Sequence, residues 1–227
     1  MTELSSLKAW ASILAAALIA GLLAAMAFAP DVAAQDVGCR GDIVLDPGHG
    51  GSDTGAVNKT YNLKESEEVL KVANILKGLL VGDGYTVCMT RTTNAETLSN
   101  NDRYTYANTT GARVLVSIHM NGSSNPDTDY TTTLFGKWQK DKVLANTVFN
   151  RLKTLPAASG TGTIATKTPY SYASGVLLKS NMPATIAETV FITSDKEAAL
   201  LSNGTGERQQ QIAEALRAGI EDYLSTH

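Results

Sequence analysis

The chain has 227 residues, of which 43% are hydrophobic, and it carries a formal charge of −3 at pH 7. This slightly acidic balance excludes a basic nucleic-acid-binding protein and gives no electrostatic reason to bind anionic polymers or lipids. The sequence contains no repeat, proline-rich linker or charge block, so its length fits one domain behind a short N-terminal segment.

The N-terminal segment has the character of an export signal. Residues 9–29 form an uncharged run rich in alanine and leucine, and Val32-Ala33-Ala34 offers small residues for cleavage before Gln35. We therefore predict a signal peptide at residues 1–34. The alternative is an uncleaved membrane anchor, because the run reaches the roughly 20 residues that a span needs. Both alternatives place residues 35–227 outside the cytoplasm.

The remaining sequence alternates predicted strands and helices. The predicted strands are residues 43–46, 85–90, 112–118, 131–135, 176–179 and 185–191, and the predicted helices are residues 65–80, 101–109, 140–152 and 207–224. Such alternation is typical of α/β proteins. We predict a single α/β domain at residues 35–227, with an open, twisted, mostly parallel sheet of about six strands covered by helices on both faces.

Two cysteines, Cys39 and Cys88, flank or occupy the first two predicted strands. A disulfide between them is consistent with an exported protein. Two reduced, buried thiols are the alternative, because the sequence does not establish that the Cα atoms come within the roughly 7 Å that a bridge needs. Metal ligation is disfavoured, since the two residues lack the close spacing of thiolate zinc sites.

Two of the three histidines lie in segments that directly follow short β-branched runs, residues 43–45 and 114–116. His49 lies in the segment Asp46-Pro47-Gly48-His49-Gly50-Gly51, and His119 lies in Ser117-Ile118-His119-Met120-Asn121. Open α/β sheets place their sites at the carboxyl ends of such strands. Two imidazoles together with an acidic third ligand indicate a catalytic zinc that keeps one position open. The alternative is that each histidine only packs against the strand ends.

The ordered motifs of the chain carry a family resemblance over residues 43–224. They are Asp46 to Gly51 with Asp53 and Gly55-Ala56, Lys64-Glu65, Thr90-Arg91, Arg103 with Ala107-Asn108, Ser117 to Asn121, and Pro183 with Glu188. In this order they resemble the zinc-dependent N-acetylmuramoyl-L-alanine amidases of the type called amidase 3. Several motifs in one order are more specific than any single motif.

The resemblance implies a peptidoglycan hydrolase. Such enzymes cleave the amide between N-acetylmuramic acid and the L-alanine of the stem peptide. By resemblance, His49, Glu65 and His119 hold one zinc ion and Glu188 is catalytic. The start of the predicted helix at Glu65 favours an ionised carboxylate, although Glu67 and Glu68 share that helix start.

Other residues of the motifs have two interpretations each. Asn121 either contacts substrate or fixes its loop. Arg103 either binds substrate or orients a carboxylate such as Glu188, unless it is an ordinary surface arginine. Asp46 braces His49 or the glycine loop. Glu188 has the alternative of a structural ion pair with Arg103 or Arg91.

Residues 154–174 are small, polar and glycine-containing, without the long helix that plugs regulated members of this family. We expect residues 156–172 to form a loop that lines an open substrate cleft. A muropeptide or polymeric peptidoglycan would be the substrate.

The biological setting stays broad at the level of sequence. The periplasm, the cell wall or the extracellular space are the expected locations, and wall remodelling or lysis, as by an autolysin, is the expected role. We expect a monomer, with a separate protein for targeting or activation and no nucleic-acid partner. A zinc peptidase cutting within the stem peptide and a non-catalytic wall-binding module are the competing functions.

Overall fold

The computed structural model describes residues 38–227. The predicted signal peptide or membrane anchor at residues 1–34 lies outside these described residues. Within residues 38–227, no helix combines the length and the apolar composition needed to cross a bilayer.

The described residues alternate strands and helices. The strands are β1 (Ile43–Pro47), β2 (Val57–Asn58), β3 (Leu63–Lys64), β4 (Val87–Met89), β5 (Val114–Asn121), β6 (Thr132–Phe135), β7 (Tyr170–Ser171) and β8 (Ala184–Phe191). The helices are α1 (Glu65–Gly82), α2 (Asn100–Thr110), α3 (Trp138–Leu152), α4 (Gly175–Lys179), α5 (Asp195–Leu201) and α6 (Glu207–Leu224).

Six strands form one sheet in the order β4-β1-β5-β8-β6-β7. The first four strands are mutually parallel, β6 runs antiparallel to β8, and β7 runs parallel to β6. The predicted α/β domain with a mostly parallel six-stranded sheet is therefore confirmed. Strands β2 and β3 pair separately as a short hairpin that leads into α1.

Each face of the sheet has its own hydrophobic core. On one face, helices α1, α3 and α6 contribute buried residues such as Leu76, Leu144 and Leu216. On the other face, α2 and α4 contribute Tyr106 and Val176. The apolar positions that follow helical spacing in α1 and α6 are all buried, as that spacing predicts.

The strand predicted at residues 176–179 is wrong. These residues lie in the short helix α4, where Val176 and Leu177 pack into the core beside α2. A run of three apolar residues has no measurable period, so it does not distinguish a short helix from a strand. One edge of the sheet is instead β7, whose two residues are exposed. The hairpin β2–β3 and helix α5 were not predicted.

Cys39 and Cys88 form a disulfide, with their Cα atoms 5.9 Å apart. The bridge joins Cys39, in the segment before β1, to Cys88 in the middle of β4. Of the two alternatives for the cysteines, the structure has the bridged one. Cys88 is paired in register with Val44, near the amino end of β1 and away from the carboxyl end that precedes His49.

Candidate metal centre and cleft

A cleft of about 460 Å³ opens at the carboxyl ends of β1, β5 and β8. Its lining includes every residue to which the sequence assigns a role in zinc binding, catalysis or substrate binding. The lining residues are Asp46, His49, Asp53, Glu65, Leu98, Asn100, Arg103, Ser117, His119, Met120, Asn121, Gly122, Leu134, Tyr170, Tyr172, Ser174, Val176, Ile186 and Glu188.

Three side chains in the cleft converge on one point. The Oε1 atom of Glu65 lies 3.1 Å from Nε2 of His49 and 3.0 Å from Nδ1 of His119. One donor atom from each of the three residues lies within 4.8 Å of the others. The structure therefore brings together the ligand triad that the resemblance predicts.

Glycines make this convergence possible. A Cβ atom at Gly48 would lie 2.3 Å from the ring of His119, and one at Gly55 would lie 2.5 Å from Oε2 of Glu65. His49 itself has a positive φ of 60°, which is uncommon for a residue with a side chain. The glycine backbone thus approaches the triad side chains so closely that a larger residue at either position would displace them.

Charge is concentrated at the triad. Burial opposes the charged form of Glu65, but hydrogen bonds and charge interactions with His119 and His49 outweigh it and hold the pKa of this carboxyl well below its usual range. Burial also opposes the charged form of His49, yet its contacts with Glu65 and Asp53 raise the pKa of this imidazole to about 9. An ionised carboxylate between two imidazoles is a site that favours positive charge.

Further contacts fix the orientation of the triad. The Nδ1 atom of His49 lies 2.9 Å from Oδ2 of Asp53, which leaves Nε2 facing Glu65. The backbone N–H groups of Ala56 and Met120 donate to the two carboxylate oxygens of Glu65, at 2.9 and 3.0 Å. A carboxylate behind a histidine and hydrogen bonds behind a carboxylate are the usual supports of metal ligands.

Two buried arginines support the backbone of residues 46–51, the segment that carries His49 and is called the histidine loop below. Arg91 donates to the carbonyls of Pro47, Gly48 and Ser66, at 2.9, 2.7 and 2.8 Å. Arg103 donates to the carbonyls of Pro47 and His49, both at 2.8 Å. The two arginines therefore fix three consecutive carbonyls of the loop that presents His49.

A buried carboxylate completes this support. Asp46 accepts hydrogen bonds from Arg103 at 2.8 Å and from the hydroxyls of Thr90 and Ser117, both at 2.6 Å. Burial alone would raise the pKa of Asp46, but the arginine and the two hydroxyls outweigh burial and lower it. Asp46 braces the histidine loop through Arg103, a connection that links residues distant in sequence and that sequence reasoning left unspecified.

Glu188 lies beside the triad in the neighbouring strand. It is paired in register with His119 of β5 on one side and with Thr132 of β6 on the other. Burial raises the pKa of Glu188 above its ordinary value, and the nearby charge of Glu65 adds to this effect, whereas His119 and His49 oppose it. Among residues 38–227 it forms no ion pair with Arg91 or Arg103, whose donors are used by the histidine loop.

The remaining predicted residues also reach the cleft. Asn121 ends β5 and lines the cavity, while its backbone carbonyl accepts from Ile192 at 3.0 Å. Arg103 lines the cavity too, although it is 5% exposed. Its predicted contact with substrate stays a prediction. Residues 156–172 reach the cleft through Tyr170 and Tyr172, which both line it.

Comparisons with known proteins agree with this geometry. The Amidase_3 family model, described as N-acetylmuramoyl-L-alanine amidase, matches residues 43–222. Over an alignment 231 positions long, the chain is 27% identical to the N-acetylmuramoyl-L-alanine amidase AmiA of Escherichia coli K12, covering 84% of this chain and 78% of that protein.

Two solved structures are similar in fold as well as in sequence. The N-acetylmuramoyl-L-alanine amidase of Clostridium difficile 630 has a TM-score of 0.72 and 32% identity, covering 81% of this chain and 96% of that one. The CwlD amidase of Clostridioides difficile, solved in complex with the GerS lipoprotein, has a TM-score of 0.70 and 28% identity, covering 82% of this chain and 98% of that one.

Proposed function

We infer the reaction from the family, because the chain belongs to the Amidase_3 family of N-acetylmuramoyl-L-alanine amidases. The protein is a peptidoglycan hydrolase that cleaves the amide between N-acetylmuramic acid and the L-alanine of the stem peptide. Of the three functions compatible with the sequence, family membership favours the amidase over the stem peptidase and the non-catalytic wall-binding module. The following proposals concern the site that performs this reaction.

We propose that His49, Glu65 and His119 together hold one zinc ion. Two imidazole nitrogens and one carboxylate oxygen are a common set of ligands for catalytic zinc. The donor atoms already lie within 4.8 Å of one another, and the low pKa of Glu65 supplies the ionised ligand that a cation requires. When bound, zinc supplies Lewis acidity that polarises a carbonyl and makes water more acidic.

We assign Glu188 as the general base and acid. Its carboxylate would take a proton from the attacking water and deliver it to the departing alanine nitrogen. Burial raises the pKa of Glu188, which makes its carboxylate a stronger base for the first proton transfer. It also stabilises the protonated form until the second transfer. No nucleophilic side chain is needed, because water attacks the amide directly.

Other residues keep these groups in place. Asp53 holds the Nδ1 side of His49, and Arg103 with Asp46 fixes the backbone of the histidine loop. Asn121, at the end of β5, is proposed to hydrogen-bond the substrate, and the exposed edge of Arg103 is proposed to face it.

The observation that carries the zinc proposal is the convergence of the three donor atoms beside Glu188. A soluble N-acetylmuramoyl peptide tests it. Metal analysis should find one zinc per protein, and hydrolysis should release a peptide with a free L-alanine amino group. A chelator should stop the reaction and added zinc should restore it. Full activity after complete removal of zinc would contradict the proposal.

The cellular setting is also a proposal. Action on peptidoglycan implies export, which supports the predicted signal peptide or anchor at residues 1–34 and a location in the periplasm, the cell wall or outside the cell. The complex of the CwlD amidase with a lipoprotein supports a protein activator or targeting partner for this chain as well.

A further inference from the structure

We propose that Tyr170, Tyr172 and Lys167 form a binding wall for the stem peptide at the β7 edge of the cleft. The proposal rests on the amidase function and names where one half of its substrate lies. The three residues are called the tyrosine wall below.

The two tyrosines of the wall are exposed and line the cleft, and Lys167 lies beside Tyr170. Tyr170 is 39% exposed and Tyr172 is 51% exposed, yet both line the cavity. Tyr170 is paired in register with Leu134, and Leu134 with Ile186, so one row of side chains leads from the wall across the cleft floor. Exposed tyrosines at a cavity edge offer apolar area together with a hydroxyl for hydrogen bonding.

Lys167 places a positive charge beside Tyr170 of the wall. The Nζ atom of Lys167 lies 4.7 Å from the ring centre of Tyr170 and 5.8 Å from that of Tyr130, and Lys167 forms no ion pair among residues 38–227. A carboxylate of a bound peptide is therefore attracted to the wall.

Distance along the sheet indicates which part of the peptide meets the wall. Strand β7 lies two strands beyond β8, which corresponds to about 10 Å at the usual strand spacing. An extended peptide covers about 3.3–3.6 Å per residue. With the amide held beside Glu188, the wall is reached by about the third residue of the stem.

The test compares N-acetylmuramoyl dipeptide with N-acetylmuramoyl tetrapeptide. In the Tyr170→Ala/Tyr172→Ala variant, KM for the tetrapeptide should rise about tenfold, while KM for the dipeptide and both kcat values should stay within about twofold. Lys167→Gln should remove a preference of about threefold for a free over an amidated C-terminal carboxylate of the tetrapeptide. Tyr61→Ala, an exposed tyrosine outside the cleft lining, is the matched control.

Binding to the Glu188→Gln protein separates this proposal from the proposed reaction. Calorimetry should show the same loss of tetrapeptide affinity when the two wall tyrosines are removed in that background. If the wild-type protein hydrolyses neither substrate but this binding pattern holds, the proposed amidase reaction is wrong and the proposed peptide binding at the tyrosine wall is supported. An equal loss of affinity for dipeptide and tetrapeptide would contradict peptide binding at the tyrosine wall. A loss of affinity that depends on glycan length instead would also contradict it.

Discussion

The two ends of the cleft are built in opposite ways. At the end proposed to hold zinc, called the metal end below, Arg91 and Arg103 are 1% and 5% exposed and donate to carbonyls of the histidine loop. At the β7 edge, the tyrosines of the wall are exposed, and Tyr170 belongs to a strand of only two residues. Catalytic groups must be held to within about half an ångström, whereas a peptide can be recognised by side chains that adjust. Changes at the metal end should therefore remove the reaction, and changes at the wall should alter only selectivity.

The largest effect is expected from His119→Ala. Loss of one of three ligands should remove bound zinc and lower kcat/KM by at least about 10⁴-fold, because the remaining two donors hold the ion weakly. Zinc analysis and hydrolysis of the muramoyl peptide should change together. His227→Ala, which removes a histidine stacked on Tyr223 outside the cleft, should leave both unchanged.

The next effect separates metal binding from catalysis. Glu188→Gln should keep zinc but lower kcat by about 10²- to 10⁴-fold, because the glutamine side chain cannot accept the proton from water and return it to the leaving nitrogen. Glu214→Gln on the surface of α6 is the control for loss of one carboxylate. A near-normal rate in the Glu188→Gln protein would show that the general base lies elsewhere.

A third change loosens the metal end without touching a ligand. In Asp46→Asn the buried Arg103 loses its counter-charge, which should lower the free energy of unfolding by about 3–5 kcal/mol at pH 7. Denaturant titration measures the difference. Asp222→Asn breaks an exposed pair with Arg151 and should change stability little.

This third effect should depend on pH. Because the pKa of Asp46 is lowered in the folded protein, its contribution is full above the unfolded value of about 4. It is lost as the pH falls below that value through the lower folded pKa. The stability gap between wild type and Asp46→Asn should narrow below about pH 4, and a gap that is constant down to pH 3 would contradict this origin.

The smallest effect concerns the β7 edge. In limited trypsin digestion, cutting after the exposed Lys167 should slow by a few-fold when the muramoyl tetrapeptide is present, because the wall is then covered. Cutting after Lys59, in the hairpin turn between β2 and β3, is the internal control. Unchanged cutting after Lys167 would show that the peptide does not cover this edge.

Sequence reasoning anticipated the metal end better than its supports. His49 and His119 follow apolar, β-branched strands, so their place at the carboxyl ends of a parallel sheet is predictable from local pattern. Arg91 and Arg103 donate to backbone carbonyls of the histidine loop far earlier in the chain, and no local pattern reveals these contacts. The same limit applies to α4, where a short apolar run around Val176 fits a strand as well as a helix.

The β7 edge was anticipated only as a loop. The residues around Tyr170 include no long apolar run, and a two-residue strand is formed by pairing with β6 rather than by local propensity. That pairing places Tyr170 on the cleft. The sequence therefore predicts that residues 156–172 border the cleft, but the charge and aromatic character of the wall become meaningful only with the fold.

The most direct test of the central claim is digestion of purified peptidoglycan by the protein of residues 35–227, with zinc and with a chelator, followed by mass spectrometry. We predict free stem peptides that begin at L-alanine, formed with zinc and abolished by the chelator. Shortened stems still attached to the glycan, or the same products in the presence of the chelator, would contradict a zinc-dependent amidase.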